Sequence, residues 1–255
     1  MAMGGPGTGK SFAALSIAKR IDGHMHVIDN DNAYDRMLET EFTTLNNVTV
    51  WPAWDWDSTM AATRKIVEAA DADDWLVVDI LTPTWQMAQD WFSENVYGDD
   101  LASHLLRARQ AVQQTNVQIR AGKSQGKEVK NLSPFDGFMD WSVINPQYQK
   151  FMAMLRNAPC HVFCASEVDA VDSKNDKGDV LDLYPLGIKP RGQKRTGHAF
   201  STILMMTKKR AGVWEMTTVK DRGRRELDHE GVGDFGVNYL MRTAGWKARA
   251  VDGSV

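Results

Sequence analysis

Short apolar runs alternate with amphipathic stretches along the first half of the chain. The runs are bounded by polar or breaking residues, which is typical of strands buried on both faces of a parallel sheet. The predicted strands are residues 24–29, 47–51 and 75–80. The predicted helices are residues 12–18, 58–70 with Ser58 as the N-cap, and 83–96, which Pro83 opens. This alternation predicts an α/β fold with a mainly parallel central sheet flanked by helices.

The second half of the chain has a different pattern. It begins with a predicted helix that grades into a polar, basic loop at 120–131, followed by a helix at 146–157 and a strand at 160–165. Two hairpins are then predicted, 168–172 with 179–183 and 200–207 with 213–219, and last a brief helix at 237–243. The hairpins predict antiparallel strands toward the C-terminus. We expect one domain over residues 1–226, with 99–135 as a helical, mobile insertion, and a C-terminal tail over 227–255.

Composition is ordinary for a globular protein, with 43% apolar and 25% charged residues in 255. No apolar run is long enough to span a membrane, and no signal-peptide pattern is seen at the N-terminus. Cys160 and Cys164 lie in an apolar run without metal-ligand spacing, so we expect reduced core thiols and a cytoplasmic location.

Basic charge is concentrated in one segment. Eleven Lys and Arg residues but only two acids lie between Lys189 and Arg225, whereas the whole chain has a net charge of −3. Such a segment on an acidic body indicates a polyanionic partner, and a solvated charged face is the alternative.

A phosphate-binding motif opens the chain. Residues 4–11 match G-x-x-x-x-G-K-[ST], and an amphipathic helix follows directly. The residues predicted to bind ATP are Gly4, Gly5, Pro6, Gly7, Thr8, Gly9, Lys10, Ser11 and Phe12. Lys10 would reach the β- and γ-phosphates, and the Ser11 hydroxyl would ligate Mg²⁺. A glycine-rich turn without a ligand is the alternative, but it has no use for the Lys-Ser pair. Only three residues precede Gly4, so either the first strand is very short or the sequence as given lacks its natural beginning.

Asp79 closes the most apolar of the predicted strands. A carboxylate at this place, beside a phosphate loop, is expected to hold Mg²⁺ through water. A capping or strand-end role is the alternative. Ile80 follows it where AAA+ ATPases usually carry a catalytic Glu, and this departure counts against that class.

The segment Asp29-Asn-Asp-Asn-Ala-Tyr-Asp35 resembles the one that follows the second strand of RecA-like ATPases. The family reads Asp-Ala-Glu-His-Ala-Leu-Asp there, and its Glu polarises the attacking water. The resemblance implies that Asp31 takes this role, with Asp29 or Asp35 as substitutes. Asp is one methylene shorter than Glu, which is compatible with slow hydrolysis. An acidic capping turn is the alternative.

Lys220 and Arg222 match the Lys-x-Arg that many RecA-like ATPases project into a neighbouring subunit's γ-phosphate. The resemblance covers about Gly4 to Arg225 and is closest in pattern to phage-encoded RecA-like ATPases of single-strand annealing recombination. It implies Mg·ATP hydrolysis, a ring or filament of identical subunits with active sites completed in trans, and the host cytoplasm. A basic strand end in solvent is the alternative for this pair.

A basic loop lies where RecA-like proteins place a DNA-binding loop. The residues expected to contact single-stranded DNA are Lys189, Arg191, Lys194 and Arg195, with the loop from Arg120 to Lys130 as a second candidate. Basic loops also serve nucleotide or subunit contacts. Ser166 and Glu167 end the neighbouring strand and are candidates for sensing the nucleotide.

Three other functions stay open at this point. A packaging or loader motor would usually carry Glu beside Asp79. An ATP-gated interaction module with little hydrolysis would be compatible with Asp31 in place of Glu. A small-molecule kinase would need an Arg-rich lid that the sequence does not suggest.

Overall fold

The computed structural model describes residues 1–128, 135, 139–171, 184, 187–210, 213–222 and 231–232. The strands are β1 Ala2–Gly4, β2 Met25–Asp29, β3 Val48–Pro52, β4 Trp75–Asp79, β5 His161–Ser166, β6 Val168–Ala170, β7 Ile188–Pro190, β8 Thr202–Arg210, β9 Val213–Asp221 and β10 Gly231–Val232. The helices are α1 Lys10–Ala18, α2 Tyr34–Thr40, α3 Trp56–Ala69, α4 Thr82–Tyr97, α5 Leu101–Arg120 and α6 Trp141–Arg156, with a 3-10 turn, η1, at Thr196–Ala199.

Eight of these strands form one sheet in the order β10-β9-β8-β1-β5-β4-β2-β3. The pairs from β8 across to β3 are parallel, and β9 and β10 are added antiparallel. This confirms the predicted fold class. Strands β1, β2, β4 and β5 therefore end at one edge of the sheet, here called the carboxyl edge. Strand β9 runs the other way and ends at the opposite edge, the amino edge.

The sheet is buried on both faces, as the apolar runs predicted. In β4, Leu76 and Val78 pack with residues of α3, α4 and α6, whereas Trp75 and Val77 pack with residues of α1 and α2. A smaller cluster joins α4, α5 and α6 around Phe92. Within the described residues, no helix is long and apolar enough to cross a membrane.

Helix α3 begins two residues before the predicted cap. Asp55 is the N-cap, and its carboxylate accepts a 2.7 Å hydrogen bond from the backbone N–H of Ser58. Ser58 is the third helical residue and completes a capping box, so its prediction as the cap was wrong. The earlier start buries Trp56, which stacks on Tyr148 at 6.4 Å between ring centroids.

Helix α6 begins at Trp141 and contains Pro146, which the sequence analysis placed at its start. As the sixth helical residue, Pro146 removes one intrahelical hydrogen bond. Burial of Ile144 and Tyr148 on either side of the proline favours the longer helix.

In the described part of the chain, the first strand of the first predicted hairpin pairs with a different strand. Strand β6 pairs with β7, in the register Val168 with Pro190, as a separate two-stranded sheet. The predicted partner, 179–183, and the predicted tail helix, 237–243, lie outside the described residues. The second hairpin is present as β8 and β9 and is longer than predicted.

Candidate nucleotide site

The phosphate-loop motif, residues 4–11, connects β1 to α1 at the carboxyl edge. Gly7 and Gly9 have φ angles of 68° and 85°, in the left-handed region that favours glycine. A Cβ on Gly4 would lie 2.5 Å from the carbonyl oxygen of Met206 on the neighbouring strand. Gly4, Gly7 and Gly9 are therefore required by the path of the backbone, which turns sharply beside a packed strand.

Two side chains hold the loop in shape. The Thr8 hydroxyl donates to the carbonyl of Gly5 at 2.9 Å. The Lys10 ammonium donates to the carbonyls of Gly4 and Gly5 at 2.9 and 3.0 Å. These bonds use two of the three donors on the lysine nitrogen. The ammonium is thus already folded over the loop, where a nucleotide phosphate would lie.

Lys10 is largely buried and is surrounded by carboxylates. Burial lowers the pKa of Lys10, and the charges of Asp79, Glu167 and Asp31 oppose that shift. These three acids come from the ends of three different strands or the turns that follow them. The carboxyl edge therefore gathers the predicted residues Lys10, Asp31 and Asp79 into one site, together with Glu167.

Asp79 lies at the centre of this site. It is paired in register with Asp29 across β4 and β2, and its side chain is only 1% exposed. Burial raises the pKa of Asp79, whereas hydrogen bonds with Ser11 and Tyr34 and the charge of Lys10 oppose the rise. The Ser11 hydroxyl and the Asp79 carboxylate, both predicted to serve Mg²⁺, are thus close enough to influence each other.

Tyr34 is the second hydrogen-bond partner of Asp79. Its phenol donates to Oδ2 of Asp79 at 2.8 Å, and the side chain is fully buried. Burial and the neighbouring acids raise the pKa of Tyr34 well above its usual value, so the phenol stays protonated and acts as the donor. Sequence analysis gave this tyrosine no role, because nothing local marks a contact between residues 45 positions apart.

Asp29 organises the turn after β2. Its carboxylate accepts hydrogen bonds from the backbone N–H groups of Asp31, Ala33 and Tyr34 at 3.2 to 3.3 Å. This is the capping geometry that was the alternative for the segment, and Asp29 adopts it. The turn also contains Asn32 with a positive φ of 59°. Asp29 thereby sets the position of Asp31 and directs Tyr34 inward.

Asp31 lies at the mouth of the site, with its surface open to solvent. Its pKa is raised to about 6, first by the partial burial of the carboxyl group and then by the nearby charges of Asp79 and Asp29, while Lys10 opposes the rise. A carboxylate with a raised pKa accepts a proton more readily than an ordinary aspartate does. Asp35, the other substitute considered, is exposed in the first turn of α2.

Asn30 joins the ends of β2 and β4. Its side-chain oxygen accepts from the N–H of Ile80 at 2.6 Å, and its side-chain nitrogen donates to the carbonyl of Ile80 at 2.9 Å. The backbone N–H of Asn30 donates to the carbonyl of Asp79 at 3.0 Å. The peptide between Asp79 and Ile80 is cis. Asn30 therefore fixes the backbone around Asp79, a role that sequence analysis did not assign.

Glu167 links the site to the predicted DNA loop. Its backbone N–H donates to the Thr82 hydroxyl at 2.9 Å, and its carboxylate forms an ion pair with Arg191 at 3.1 Å. The N–H of Arg191 also donates to the carbonyl of Glu167 at 2.9 Å. Glu167 is thus close enough to influence Lys10 and is bonded to Arg191.

The other residues of that loop extend away from the nucleotide site. Lys189 is half-buried in β7, whereas Lys194 and Arg195 are exposed beyond Gly192. A Cβ on Gly192 would lie 3.8 Å from the carbonyl of Thr82 at the start of α4. The chain then enters η1. The four basic residues therefore follow one another along the surface from the carboxyl edge without forming a single cluster.

Lys220 and Arg222 lie at the amino edge, opposite the phosphate loop. Lys220 pairs in register with Ile203 near the start of β8. Its ammonium donates to the carbonyl of Gly197 at 3.0 Å, and the Arg222 guanidinium donates to the carbonyl of His198 at 2.9 Å. The structure therefore does not bring this pair to the phosphate loop of its own chain.

Phe12 and Trp56 pack against other aromatic side chains. Phe12 meets Phe42 edge-on at 5.0 Å between ring centroids and is 40% exposed. Trp56 is buried, whereas Trp54 is 59% exposed.

The donor set is suited to Mg²⁺ held jointly with a nucleotide. Magnesium prefers hydroxyl, carboxylate, phosphate and water oxygens. Ser11 would supply a hydroxyl oxygen and Asp79 a carboxylate oxygen. Among the described residues, no group of three or more His, Cys, Asp and Glu side chains is arranged to hold a metal ion by itself. The ion would therefore depend on phosphate oxygens and water for its remaining ligands.

Comparison with known proteins gave a structural likeness only. No protein-family model matches the sequence, and no curated protein matches it. Among the solved structures that match is that of the RadB recombinase, with 12% sequence identity, a TM-score of 0.49, and coverage of 91% of this chain and 84% of that chain. We therefore base the functional proposal on the site itself.

Proposed function

We propose that this chain is a Mg²⁺-dependent, RecA-like ATPase. The observation that carries the proposal is the meeting of Lys10, Ser11, Asp79 and Asp31 at a glycine loop that has the backbone geometry this motif requires. Lys10 and the loop N–H groups would bind the phosphates. Ser11 and Asp79 would hold Mg²⁺, which would neutralise charge on the β- and γ-phosphates.

Asp31 is proposed to orient the attacking water and accept its proton. Its exposed position at the mouth of the site and its raised pKa support this role. Asp29 is less suited to it, because its carboxylate is occupied by three backbone N–H groups.

The ATPase is proposed to act on single-stranded DNA in recombination or replication, as the resemblance to phage-encoded recombination ATPases implies. The contact of Arg191 with Glu167 supports a link between the two activities, since DNA phosphates that engage the Arg191 guanidinium would compete with Glu167, whose charge acts on Lys10. Lys189, Lys194 and Arg195 would contribute further phosphate contacts.

Assembly of identical subunits in a ring or filament is part of the proposal. Lys220 and Arg222 lie at the edge of the sheet remote from their own phosphate loop, so any contact with a γ-phosphate would be with that of a neighbour. Cations placed in this way would stabilise the charge that develops during phosphoryl transfer.

The test is the rate of ATP hydrolysis by the full chain, measured with and without single-stranded DNA at several protein concentrations. The proposal expects Mg²⁺-dependent turnover, stimulation by DNA, and specific activity that rises with protein concentration. Tight ATP binding without turnover under all conditions would favour an ATP-gated interaction module instead.

A further inference from the structure

A groove of about 470 Å³ runs along one side of α6, between this helix and the segment that enters η1. It extends from Asn145 to Arg156, the last residue of the helix. The eleven steps from the first of these residues to the last correspond to about 16 Å, at 1.5 Å a step. The polar side chains that line it include Asn145, Gln149, Arg156, Gln193, Arg195 and His198. Neither the proposed nucleotide site nor the Lys220–Arg222 pair includes the α6 side of this groove.

Among the described residues, the groove carries positive charge without an internal counter-ion. Arg156 and Arg195 both line it and are both exposed, and none of its lining residues in the described part of the chain is acidic. Neither guanidinium forms an ion pair with a described residue. By contrast, Arg107, Arg120 and Arg191 are each paired with a carboxylate. Two guanidinium groups facing one recess create a local potential that attracts an anion.

The wall that carries Arg195 is held in place by several hydrogen bonds. The N–H of Arg195 donates to the side-chain oxygen of Gln193 at 2.6 Å. The hydroxyls of Thr196 and Tyr148 are 3.4 Å apart and connect η1 to α6. Lys220 and Arg222 bind η1 from the β9 side. Because the turn is fixed in this way, Arg195 would lose little backbone freedom on binding a ligand.

We infer that this groove binds the phosphodiester backbone of single-stranded nucleic acid. The inference rests on the proposed function and adds α6 as a second wall of the DNA path. Guanidinium and amide side chains are typical phosphate contacts, and the groove offers both along a length that suits a chain of phosphates better than one phosphate group. An acidic protein partner is less suited, because the apolar lining residues Tyr148 and Met152 are buried and cannot serve as anchors.

The burial of Tyr148 also indicates how the groove would bind nucleic acid. With Tyr148 only 1% exposed, the described walls have no exposed Phe, Tyr or Trp face on which a base could stack. Binding in the groove should therefore depend on charge, be tolerant of base sequence, and weaken steeply with salt.

The experiment uses the full chain and a fluorescein-labelled oligo(dT), with binding followed by fluorescence anisotropy over a series of salt concentrations. Arg156→Gln is expected to weaken binding on the order of tenfold at low salt and to reduce the slope of log K against log salt by about 0.7, the value for one single-strand phosphate contact. Arg156→Lys should restore much of the slope. Gln149→Glu, at an exposed position of the same groove, should weaken binding while both arginines remain.

Arg36→Gln is the matched control, since Arg36 is exposed on α2 at the other face of the sheet, and it should bind as the unaltered chain does. Thermal melts would establish that each variant is folded. If the unaltered chain binds oligo(dT) but Arg156→Gln and Gln149→Glu bind with unchanged affinity and slope, the groove is not the DNA path and the proposed function stands. If the unaltered chain binds no DNA, the inference about the groove and the proposed action on single-stranded DNA both fail. Loss of self-association instead of DNA binding would also overturn the inference and identify the groove as a subunit contact.

Discussion

The phenol of Tyr34 donates a 2.8 Å hydrogen bond to Oδ2 of Asp79 inside the protein. Tyr34 reaches this position because Asp29, at the end of the neighbouring strand, accepts the backbone N–H groups of the turn that contains it. One strand-end carboxylate thus shapes the turn that orients the other. One oxygen of Asp79 is thus bonded to Tyr34, which would fix the face that the carboxylate presents to the proposed Mg²⁺.

We predict that Tyr34→Phe binds ATP nearly normally but needs more Mg²⁺ for half-maximal hydrolysis. Removing the phenol leaves a buried carboxylate oxygen without its donor, which costs about 1–3 kcal/mol, and allows the carboxylate to rotate. Hydrolysis would be measured against Mg²⁺ concentration, together with a thermal melt. Tyr97→Phe is the matched control, since its phenol donates to Oδ2 of Asp140 at 2.7 Å, away from the site. An equal shift in Mg²⁺ requirement for both variants would contradict a positioning role for Tyr34.

Lys10→Ala and Asp79→Asn should fail at different steps. Lys10 is the one phosphate-loop residue whose side-chain charge faces the phosphates, so its loss should abolish ATP binding. Asp79→Asn should keep part of the binding and lose Mg²⁺-dependent turnover. Binding would be measured with a fluorescent ATP analogue and turnover by phosphate release. Unchanged turnover in Asp79→Asn would mean that another carboxylate holds the metal.

The pH dependence of the protein's stability should reflect the raised pKa of Asp31. Its native pKa is about 6, against 3.8 in the unfolded chain, so the ionised group destabilises the fold above pH 6 and has no such effect below about pH 4. Asp31→Asn should therefore raise the melting temperature at pH 8, and the gain should fade as the pH falls from 6 to 4. Because the carboxylate is exposed, the gain should not exceed about 1 kcal/mol.

Asp35→Asn provides the comparison for that experiment. Asp35 lies in the first turn of α2, where a negative charge is favourable to the helix, so its removal should not stabilise the protein. A gain at Asp31 that is independent of pH would show that crowding of charge around Asp79 is not its cause.

Local signals predicted the parts of the site that depend on local geometry. The glycines of the phosphate loop and the acids at Asp29 and Asp79 are set by backbone conformation and by strand ends, which the sequence displays directly. The N-cap of α3 was misjudged because Asp55 and Ser58 are both good caps, and burial of Trp56 decides between them. Such decisions depend on distant partners that no short window contains.

Contacts between distant segments could not be predicted in the same way. The bonds from Tyr34 to Asp79 and from Asn30 to Ile80 need two strands to be neighbours in the correct register. The placement of Lys220 at the amino edge follows from the antiparallel direction of β9, which also separates it from the phosphate loop.

Neutralising Lys189, Arg191, Lys194 and Arg195 together should weaken binding of single-stranded DNA and flatten its salt dependence. Each phosphate contact that is lost reduces the number of counterions released on binding. ATP binding should be retained, since none of the four is among the residues proposed to bind the nucleotide, and the ion pair of Arg191 is with Glu167. Anisotropy titrations at several salt concentrations would measure the slope. The same slope in the quadruple variant would exclude this loop from the DNA path.

Assembly can be separated from chemistry through Arg222. Its guanidinium is bonded to the carbonyl of His198 in its own chain and is remote from its own phosphate loop. If it acts on a neighbour, Arg222→Ala should bind ATP nearly normally yet hydrolyse it slowly at any protein concentration, because the charge of the transition state is not met. The unaltered chain should instead gain specific activity as its concentration rises.

Mixing two inactive variants gives the sharper result. In a mixture of Arg222→Ala and Lys10→Ala, some interfaces combine the intact phosphate loop of the first variant with the intact Arg222 of the second. Those interfaces contain both halves of the site, so the mixture should hydrolyse ATP faster than either variant does alone. Co-assembly would be established by sedimentation before rates are compared. If co-assembled mixtures stay inactive, Arg222 serves its own chain, and its bond to η1 is then sufficient to explain its position.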